Sequence, residues 1–477
     1  MHSFSLLYFE VFCALQIILI YYQIFTYVMA FLPFNNESVD IVVQRATHIL
    51  ADLEDRLPRL CKLYRDLHQH PELSMQEYRT AGIVAQHLRE SGYEVTEGIG
   101  ATGIVGLLRN GIGPVVMLRG DMDALPIKEQ SGVDYASKTF KTSTDGAKVP
   151  VMHACGHDIH VTCLIATADL LARNSDAWQG TAFICAQPGE ETGQGAEAML
   201  NDGLFKRFPR PDLCLGQHVL PLAVGMIGHN SGIIMSSSIN VDIRLFGKGG
   251  HGSTPQVSID SVIMASSLIT KLQTIRSREL GGDIPAVITT GFVKSGIKHN
   301  VIADEAHIGI NIRTQSINVQ MQIISAISRM AEAEAQAFRA PRMPEITTSS
   351  EFPLTSNNEL IDQRLRAVHM LLFGSDNVIE LPTMMTSEDF SQYGLPGHHH
   401  YDGEPIPYCF WVFGGHPQHT YNAAPGNTFM AKMQHLPSNH QSNFVPDPET
   451  TIRGGVYALT SATLAYLPDV GFNDKSS

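Results

Sequence analysis

The sequence predicts an α/β protein with a partly parallel central sheet, interrupted by a smaller α+β domain. In the first half of the chain, short apolar runs alternate with helical stretches, and this alternation is typical of α/β sheets. From about residue 236 the order becomes strand, helix, strand, strand, helix, which is typical of a separate α+β domain. The pattern of the first half returns after Pro353, so we expect the smaller domain to be inserted into the larger one.

The larger domain is predicted to begin with two amphipathic helices, because apolar residues recur there at helical spacing. Apolar runs and a further helix follow, and the runs predict buried strands. The predicted segments are helices over 54–68, 77–90 and 158–172, with strands over 103–108, 115–118 and 181–186.

Polar residues follow three apolar runs directly: Asp121 and Asp123 after the second run, Glu190 and Glu191 after the third, and His218 after a further run at Leu213–Leu215. Open α/β sheets carry their sites outside the carboxyl ends of strands. We therefore expect these polar side chains to gather at one edge of the sheet.

The inserted domain is predicted to contain three strands, two helices and a glycine-rich loop: strands over 239–246, 286–293 and 306–313, helices over 260–274 and 319–338, and the loop over 247–252. The predicted division of the chain is an apolar leader (1–38), the larger domain in two parts (39–235 and 353–477) and the inserted domain (236–352).

The leader is largely apolar from residue 4 to residue 34, close to the roughly 20 residues that span a bilayer. It has no basic start and no clear cleavage site, so a secretory signal fits poorly. Two alternatives stay open: a membrane anchor, or a non-functional leader or mis-assigned start, with the folded protein beginning near Val39.

Charge and cysteine content narrow the function classes. The chain has 33 Lys and Arg against 47 Asp and Glu, a net charge of −14, and no basic run, which argues against a nucleic-acid partner. Its 7 cysteines are scattered and odd in number, so no disulfide framework is indicated. Only Cys155 lies among other metal-ligating residue types.

The segment 152–160 carries the densest chemistry: His153, Cys155, His157, Asp158 and His160. Thiolate and imidazole together suit Zn²⁺, and other first-row metals also bind imidazole. The alternative is a polar helix start with Asp158 near the N-cap and solvated histidines.

Glu190 and Glu191 are adjacent carboxylates at a predicted strand end, where they need a cation or a shared proton. One can bind a metal while its neighbour acts as general base; an exposed acidic turn is the alternative. Asp121 and Asp123 could orient a ligand histidine or pair with Arg119. These residues alone predict a metallohydrolase and leave its substrate open.

Five segments, in this order, resemble the amidohydrolase branch of the aminoacylase/carboxypeptidase metallopeptidase family, which includes hippurate hydrolases, N-acyl-amino-acid amidohydrolases and auxin-conjugate hydrolases. They are RGDMDALP (119–126), MHACGHD (152–158), QPGEE (187–191), GGHGSTP (249–255) and SEDF (387–390). The resemblance covers about residues 54–465. It implies a dinuclear-metal exopeptidase-like catalytic domain whose inserted domain is a lid that mediates dimerisation.

The resemblance also assigns roles. The implied metal ligands are Cys155, His157, Glu191, His218 and His440. Separately, Asp121 and Asp158 are predicted to support these ligands from behind. Glu190 would be the general base, and His251 would stabilise the oxyanion, often across the dimer. Asn300 and Arg313 would hold the substrate carboxylate, which suits a guanidinium.

The expected function is metal-dependent hydrolysis of N-acyl amino acids or related small amides, with two divalent metal ions (Zn²⁺ or Mn²⁺, with Co²⁺ as a further option). The alternatives are a carboxypeptidase or dipeptidase acting on short peptides, and a non-catalytic metal-binding or oligomeric scaffold. We expect a homodimer formed through the lid domain. A thiolate ligand favours the cytoplasm, with membrane attachment only if the leader is retained.

Overall fold

The computed structural model describes residues 36–395 and 404–470, which form two compact units. The larger unit comprises the described residues up to Gly232, the segment Asn357–Leu381 and the described residues from Gln392 onwards. The smaller unit comprises Ile233–Ser356 and Pro382–Ser391.

The strands of the described residues are, in chain order, β1 Glu94–Ile99, β2 Gly103–Asn110, β3 Val115–Asp121, β4 Phe140–Thr142, β5 Lys148–Pro150, β6 Gly180–Gln187, β7 Leu213–Ala223, β8 Ile227–His229, β9 Ile233–Met235, β10 Ser237–Phe246, β11 Gly250–His251, β12 Ala286–Ser295, β13 Val301–Ile302, β14 Glu305–Thr314, β15 Glu345–Phe352, β16 Thr355–Ser356, β17 Val378–Glu380 and β18 Tyr408–His416.

The α-helices of the same residues are α1 Asn36–Leu50, α2 Leu57–Gln69, α3 Tyr78–Glu90, α4 His157–Arg173, α5 Gly195–Asn201, α6 Leu204–Arg207, α7 Ser261–Thr274, α8 Ile317–Ala337, α9 Glu359–Phe373, α10 Gln418–Ala423, α11 Phe429–Met433 and α12 Pro448–Leu464.

The larger unit is built on an eight-stranded mixed sheet with the order β1-β2-β6-β3-β7-β18-β8-β17. In its centre β3 runs parallel to β6 and to β7, and β7 runs parallel to β18. The carboxyl ends of these strands therefore meet at one edge, where Asp121 of β3 lies beside Gln187 of β6. The polar segments that follow β3 and β6 in the sequence therefore lie at that edge.

Helix α4 is the central helix of the larger unit and is buried on nearly every side, including Ile159, Leu164 and Leu170. A helix with apolar residues on every face belongs in an interior, and the sequence HDIHVTCLIATADLLAR carries apolar residues along most of its length after the first turn. Because α4 starts at His157, the core holds the first turn of this helix, with its metal-ligating residue types, in a fixed place.

The smaller unit is a four-stranded antiparallel sheet with the order β12-β14-β10-β15. Alternate residues of β10 are buried, as its alternating sequence predicted. Helices α7 and α8 contribute Met264, Leu268, Ile323 and Ile327 to the core of this unit. Strand β12 is one of the two edge strands and keeps several apolar side chains exposed.

Several boundaries differ from those expected. The smaller unit runs from Ile233 to Ser356, beyond the expected 236–352. Strand β7 continues beyond Leu215 to Ala223, so His218 lies within a strand. Helix α1 takes up residues 36–38 of the predicted leader, and its Val39 is buried; residues 1–35 of that leader lie outside the described residues. Pro382–Ser391 joins the smaller unit because its backbone pairs with the start of that unit, for example Met384 N–H with the carbonyl of Ile234 at 2.9 Å.

Within residues 36–395 and 404–470, no helix is both long enough and apolar enough to cross a bilayer.

Candidate metal centre

His218 presents one ring nitrogen to the site and has the other nitrogen occupied. Its Nδ1 lies 2.8 Å from the carbonyl oxygen of Val219, and because that oxygen can only accept, Nδ1 carries the proton. The remaining Nε2 lies 3.4 Å from Sγ of Cys155. Burial lowers the pKa of His218 well below its usual value, and nearby His160 adds to this effect. His218 is therefore neutral, the form that binds metals.

His157 faces Glu191 across a gap that no hydrogen bond fills. Its Nδ1 donates to Oδ1 of Asp123 at 3.2 Å, while its Nε2 lies 3.9 Å from Oε1 of Glu191. Both of these facing atoms are buried, and neither has a hydrogen-bond partner among the described residues. Buried polar atoms are nearly always paired, so an unpaired nitrogen and an unpaired carboxylate oxygen here are what a cation would satisfy.

Cys155 belongs to two groups of donor atoms. Its Sγ and donor atoms of His157 and His218 all lie within 4.8 Å of one another, and so do its Sγ and donor atoms of Glu191 and His440. Nε2 of His440 lies 3.3 Å from Oε2 of Glu191. The structure thus brings the five expected ligands together as two three-atom groups that share one sulfur.

The turn between Cys155 and His157 requires a glycine. Gly156 has a φ of +81°, in the left-handed region, and precedes the first residue of α4. A Cβ at this position would lie 2.4 Å from Cγ1 of Val219. Only a residue without a side chain allows the thiol and the imidazole to face the same site.

Glu190 lies beside the ligand atoms at the start of a short 3-10 helix, Glu190–Thr192, just after β6. Glu190 is buried, and one of its carboxylate oxygens lies within 4.8 Å of donor atoms of both His157 and Glu191. This position allows Glu190 to exchange a proton with a water held at the site.

Asp123 organises the site, and it is one of the two aspartates that the sequence offered for orienting a ligand histidine. The Asp123 carboxylate accepts from His157, from Ser74 Oγ at 2.6 Å, and from the backbone N–H groups of Glu190 and Glu191 at 3.2 and 3.0 Å. The sequence signal for Asp123 was its two-residue spacing from Asp121, because alternate residues of an extended chain face the same side.

Asp121 instead fixes His160. Nδ1 of His160 donates to Asp121 at 2.5 Å, and Nε2 of His160 accepts from the backbone N–H of Val219 at 2.9 Å. Both ring nitrogens are therefore used, so His160 is not a ligand although it lies in the histidine-rich segment. Asp121 also accepts from Arg119 and lies 3.8 Å from Nδ1 of His157.

Asp158 differs from expectation. Its carboxylate accepts from Nδ1 of His68 at 2.7 Å, and Nε2 of His68 lies 3.1 Å from Glu129. All three side chains are fully buried. Burial lowers the pKa of His68, but the two carboxylates outweigh burial and raise it to about 9. Asp158 thus belongs to a buried ion triad that joins α2 to α4. Its partner in the structure is His68, where a metal-ligand side chain was expected.

The smaller unit carries the other three predicted residues. Nδ1 of His251 accepts from the N–H and the hydroxyl of Ser253 at 3.2 and 2.7 Å, so Nε2 carries the proton and is a donor. Asn300 is exposed, and its carbonyl accepts from the backbone N–H of Gly252, the residue after His251, at 2.9 Å.

Hydrogen bonds within the smaller unit already use part of the Arg313 guanidinium. Its Nε donates to Asn311 Oδ1 at 3.1 Å, and its Nη1 donates to the Met385 carbonyl and to Ser387 Oγ at 2.9 and 3.2 Å. These bonds use three of the five N–H donors of a guanidinium. Each two-pronged grip on a carboxylate needs Nη2 together with Nε or Nη1, both of which are occupied, so Nη2 alone is left for a ligand.

Comparison with known proteins identifies the family. A sequence model of the peptidase family M20/M25/M40 matches residues 117–429. Hippurate hydrolase of Campylobacter jejuni subsp. jejuni is 36% identical over 346 residues, which cover 72% of this chain and 87% of that protein. This chain belongs to the M20/M25/M40 peptidase family. N-acetyl-L-cysteine deacetylase of Bacillus subtilis is 32% identical over 393 residues, covering 82% of this chain and 88% of the relative.

A solved structure supports both the fold and the metal centre. A Bacillus subtilis protein described as a dinuclear metal-binding peptidase of the M20 family superimposes with a TM-score of 0.66 at 27% identity, covering 87% of this chain and 100% of that one. The predicted family, the fold class and the reaction class, metal-dependent hydrolysis of amide bonds, are confirmed for this M20/M25/M40 member.

The electrostatics of the centre fit two divalent cations. Burial raises the pKa of the Cys155 thiol well above its usual value, and Glu191 and Glu190 raise it further. Burial lowers the pKa of His157, but Asp121 and Asp123 outweigh burial and raise it to about 10. Without metal, the thiol and the imidazole thus hold protons. Divalent ions would displace both protons and satisfy the unpaired Nε2 and carboxylate oxygen.

Proposed function

We propose that this protein hydrolyses N-acyl amino acids and related small amides. The observation that carries the proposal is the position of Glu190, whose carboxylate lies within 4.8 Å of donor atoms of His157 and Glu191 without being needed in either ligand group that shares Cys155. The relatives named for hippurate and N-acetyl-L-cysteine support this substrate class.

Two divalent ions held by Cys155, His157, Glu191, His218 and His440 would supply Lewis-acid chemistry. Glu190 takes a proton from water as the water oxygen bonds to the amide carbon. The same carboxyl group then gives that proton to the leaving nitrogen as the C–N bond breaks, which yields a carboxylic acid and an amine. Asp123 holds the backbone of Glu190 in place for both transfers.

His251, Asn300 and Arg313 are proposed to contact the substrate. The Nε2–H of His251 is a donor that suits a developing oxyanion. The exposed amide of Asn300 and Nη2 of Arg313 suit the free carboxylate of an acyl amino acid. For the metals we propose Zn²⁺ or Mn²⁺, with Co²⁺ as a substitute, because a set of thiolate, imidazole and carboxylate ligands accepts all three.

The test is hydrolysis of N-acetyl, N-benzoyl and indoleacetyl amino acids by metal-stripped protein, with Zn²⁺, Mn²⁺ or Co²⁺ added back. We expect Glu190→Gln to lower kcat by about 10²–10⁴-fold while metal content stays unchanged. Glu197→Gln is the matched control, since Glu197 is exposed on α5. Undiminished activity of Glu190→Gln would refute the assigned role.

Carboxypeptidase or dipeptidase activity is the second candidate. The family and the solved Bacillus subtilis relative are both described as peptidases. Short peptides with blocked and free amino ends therefore form a second panel. Metal-restored cleavage confined to that panel would replace the acyl-amino-acid proposal and leave the metal centre and Glu190 in their roles.

We further propose that the protein is a homodimer formed through the smaller unit. Strand β12 is an edge strand whose Val287, Phe292 and Val293 are each about two-fifths to one-half exposed, and such an edge invites pairing with a second chain. Analytical ultracentrifugation should show a dimer that Val293→Lys dissociates. A monomer at micromolar concentration would contradict this proposal.

A cytoplasmic location is also proposed. Cys61, Cys155, Cys163, Cys185, Cys214 and Cys409 are all unbridged in the described residues, which is typical of a reducing compartment. Fractionation of the full chain beside a form starting at Asn36, the first residue of α1, separates this location from membrane attachment through the leader.

A further inference from the structure

Asn439 lies immediately before the ligand His440 and holds several parts of the metal centre together. Its Nδ2 donates to the carbonyl oxygens of Cys155 and Val219 at 3.2 and 3.1 Å, and lies 3.7 Å from Sγ of Cys155. One carbonyl belongs to the ligand Cys155 itself, and the other directly follows the ligand His218. A single amide group thus connects the three chain segments that bear Cys155, His218 and His440.

The orientation of this amide follows from its surroundings. An amide oxygen in place of Nδ2 would face two carbonyl oxygens and a sulfur, all of which are acceptors. The Oδ1 atom of Asn439 is buried and has no hydrogen-bond partner among the described residues. The side chain therefore leaves its own acceptor unsatisfied while its donor remains directed at Cys155 and Val219.

We propose that Asn439 is a positioning residue for the metal centre, and that its amide N–H hydrogen-bonds the thiolate of Cys155 when metals are bound. Sγ of Cys155 is the one donor atom common to both ligand groups, so its position and charge affect both ions. A hydrogen bond withdraws electron density from the sulfur and stabilises its lone pairs. Groups of this kind behind a ligand typically change metal affinity 10–100-fold.

The experiment uses full-length protein titrated with Co²⁺ after metal removal. Thiolate-bound Co²⁺ has a sulfur-to-metal charge-transfer band in the near ultraviolet, and the energy of this band depends on the sulfur lone pairs. We compare Asn439→Leu, which has a similar size and no donor, with Asn439→Asp, which puts an acceptor in the same place. Asn422→Leu is the matched control, because Asn422 is an exposed residue of α10 in the chain segment that leads to Asn439.

We expect both Asn439 variants to bind Co²⁺ and Zn²⁺ about 10–100-fold more weakly and to shift the charge-transfer band to longer wavelength. The aspartate variant should show the larger loss of affinity, because its oxygen repels the thiolate. The control should match the wild type in both measurements.

Wild-type affinity together with an unshifted band in either Asn439 variant would overturn the proposal. A lower melting temperature with a native band and native affinity would overturn it as well, since Asn439 would then only hold the loop. If the leucine variant does not fold, the aspartate variant decides alone. The readout is metal binding, so failure of the substrate proposal leaves this test intact.

Discussion

Replacing Gly156 by alanine tests the reason why Cys155 and His157 can face one site. The new Cβ has two separate costs. The first is a φ of +81°, which costs an L-residue about 1–2 kcal/mol. The second is a Cβ placed 2.4 Å from Cγ1 of Val219, and overpacking of this kind costs about 1–3 kcal/mol. We expect Gly156→Ala to lower the free energy of unfolding by about 2–5 kcal/mol.

The chain offers a matched control for the first cost. Gly132 has the same φ, +81°, and a Cβ there would meet nothing within 4 Å. Gly132→Ala should therefore lose only about 1–2 kcal/mol, and the difference between the two variants measures the contact with Val219. Adding Val219→Ala to each glycine variant should restore the free energy of unfolding lost to that contact in Gly156→Ala and restore nothing in Gly132→Ala. The restored amount is the coupling energy between the two neighbouring positions.

The assay is urea unfolding followed by circular dichroism, with a chelator present because bound metals stabilise the native state by mass action. Co²⁺ titration of the folded Gly156→Ala protein provides a second readout, and we expect weaker binding since the turn places two of the proposed ligands. This explanation of the turn is wrong if Gly156→Ala is no less stable than Gly132→Ala, or if its metal affinity is that of the wild type.

Three further predictions concern other parts of the larger unit. His68→Gln leaves Asp158 and Glu129 buried without their cation and should destabilise the protein by about 3–5 kcal/mol in thermal unfolding. The pKa of His68 is raised from 6.5 to about 9, so its stabilisation is fully present below pH 6.5 and is lost as pH rises to 9. In the metal-loaded protein, the raised pKa of His68 contributes about 3 kcal/mol of pH-dependent stability, which His68→Gln should lack. Cys155→Ser should keep the fold by circular dichroism yet retain fewer than two metal ions per chain by elemental analysis, and full metal content would contradict the shared-sulfur arrangement. Arg45, only 3% exposed, donates to three backbone carbonyls, so Arg45→Met should cost about 2–5 kcal/mol, and an unchanged melting temperature would contradict this.

Much of the candidate site was predictable because its residues are concentrated in short segments. The histidine-rich segment at Cys155 and the paired carboxylates at Glu190 stand directly after buried strands or at a helix start. In a sheet with parallel neighbours those positions meet at one edge. Local patterns of residue type are therefore enough to predict which side chains meet, even though they lie far apart in the chain.

The sequence left the division of roles among the aspartates open. Asp121, Asp123 and Asp158 all lie in matching motifs, yet only Asp123 binds both His157 and the backbone of the two glutamates. Asp158 was expected behind a ligand and instead pairs with His68. The partner of a buried carboxylate depends on which helix packs against it, and the sequence of the motif does not contain that information.

The sequence by itself predicted most of the order of the elements, a smaller unit inserted into a larger one, and the residue types proposed to bind metal, because periodicity and ligand chemistry are local properties. Tertiary structure alone decided the tautomers of His218 and His160, the turn of the amide of Asn439 towards the sulfur, and the return of Pro382–Ser391 to the smaller unit. Each of these depends on hydrogen bonds between groups far apart in the chain. Their geometry exists only once the core has fixed the strands and α4 in place.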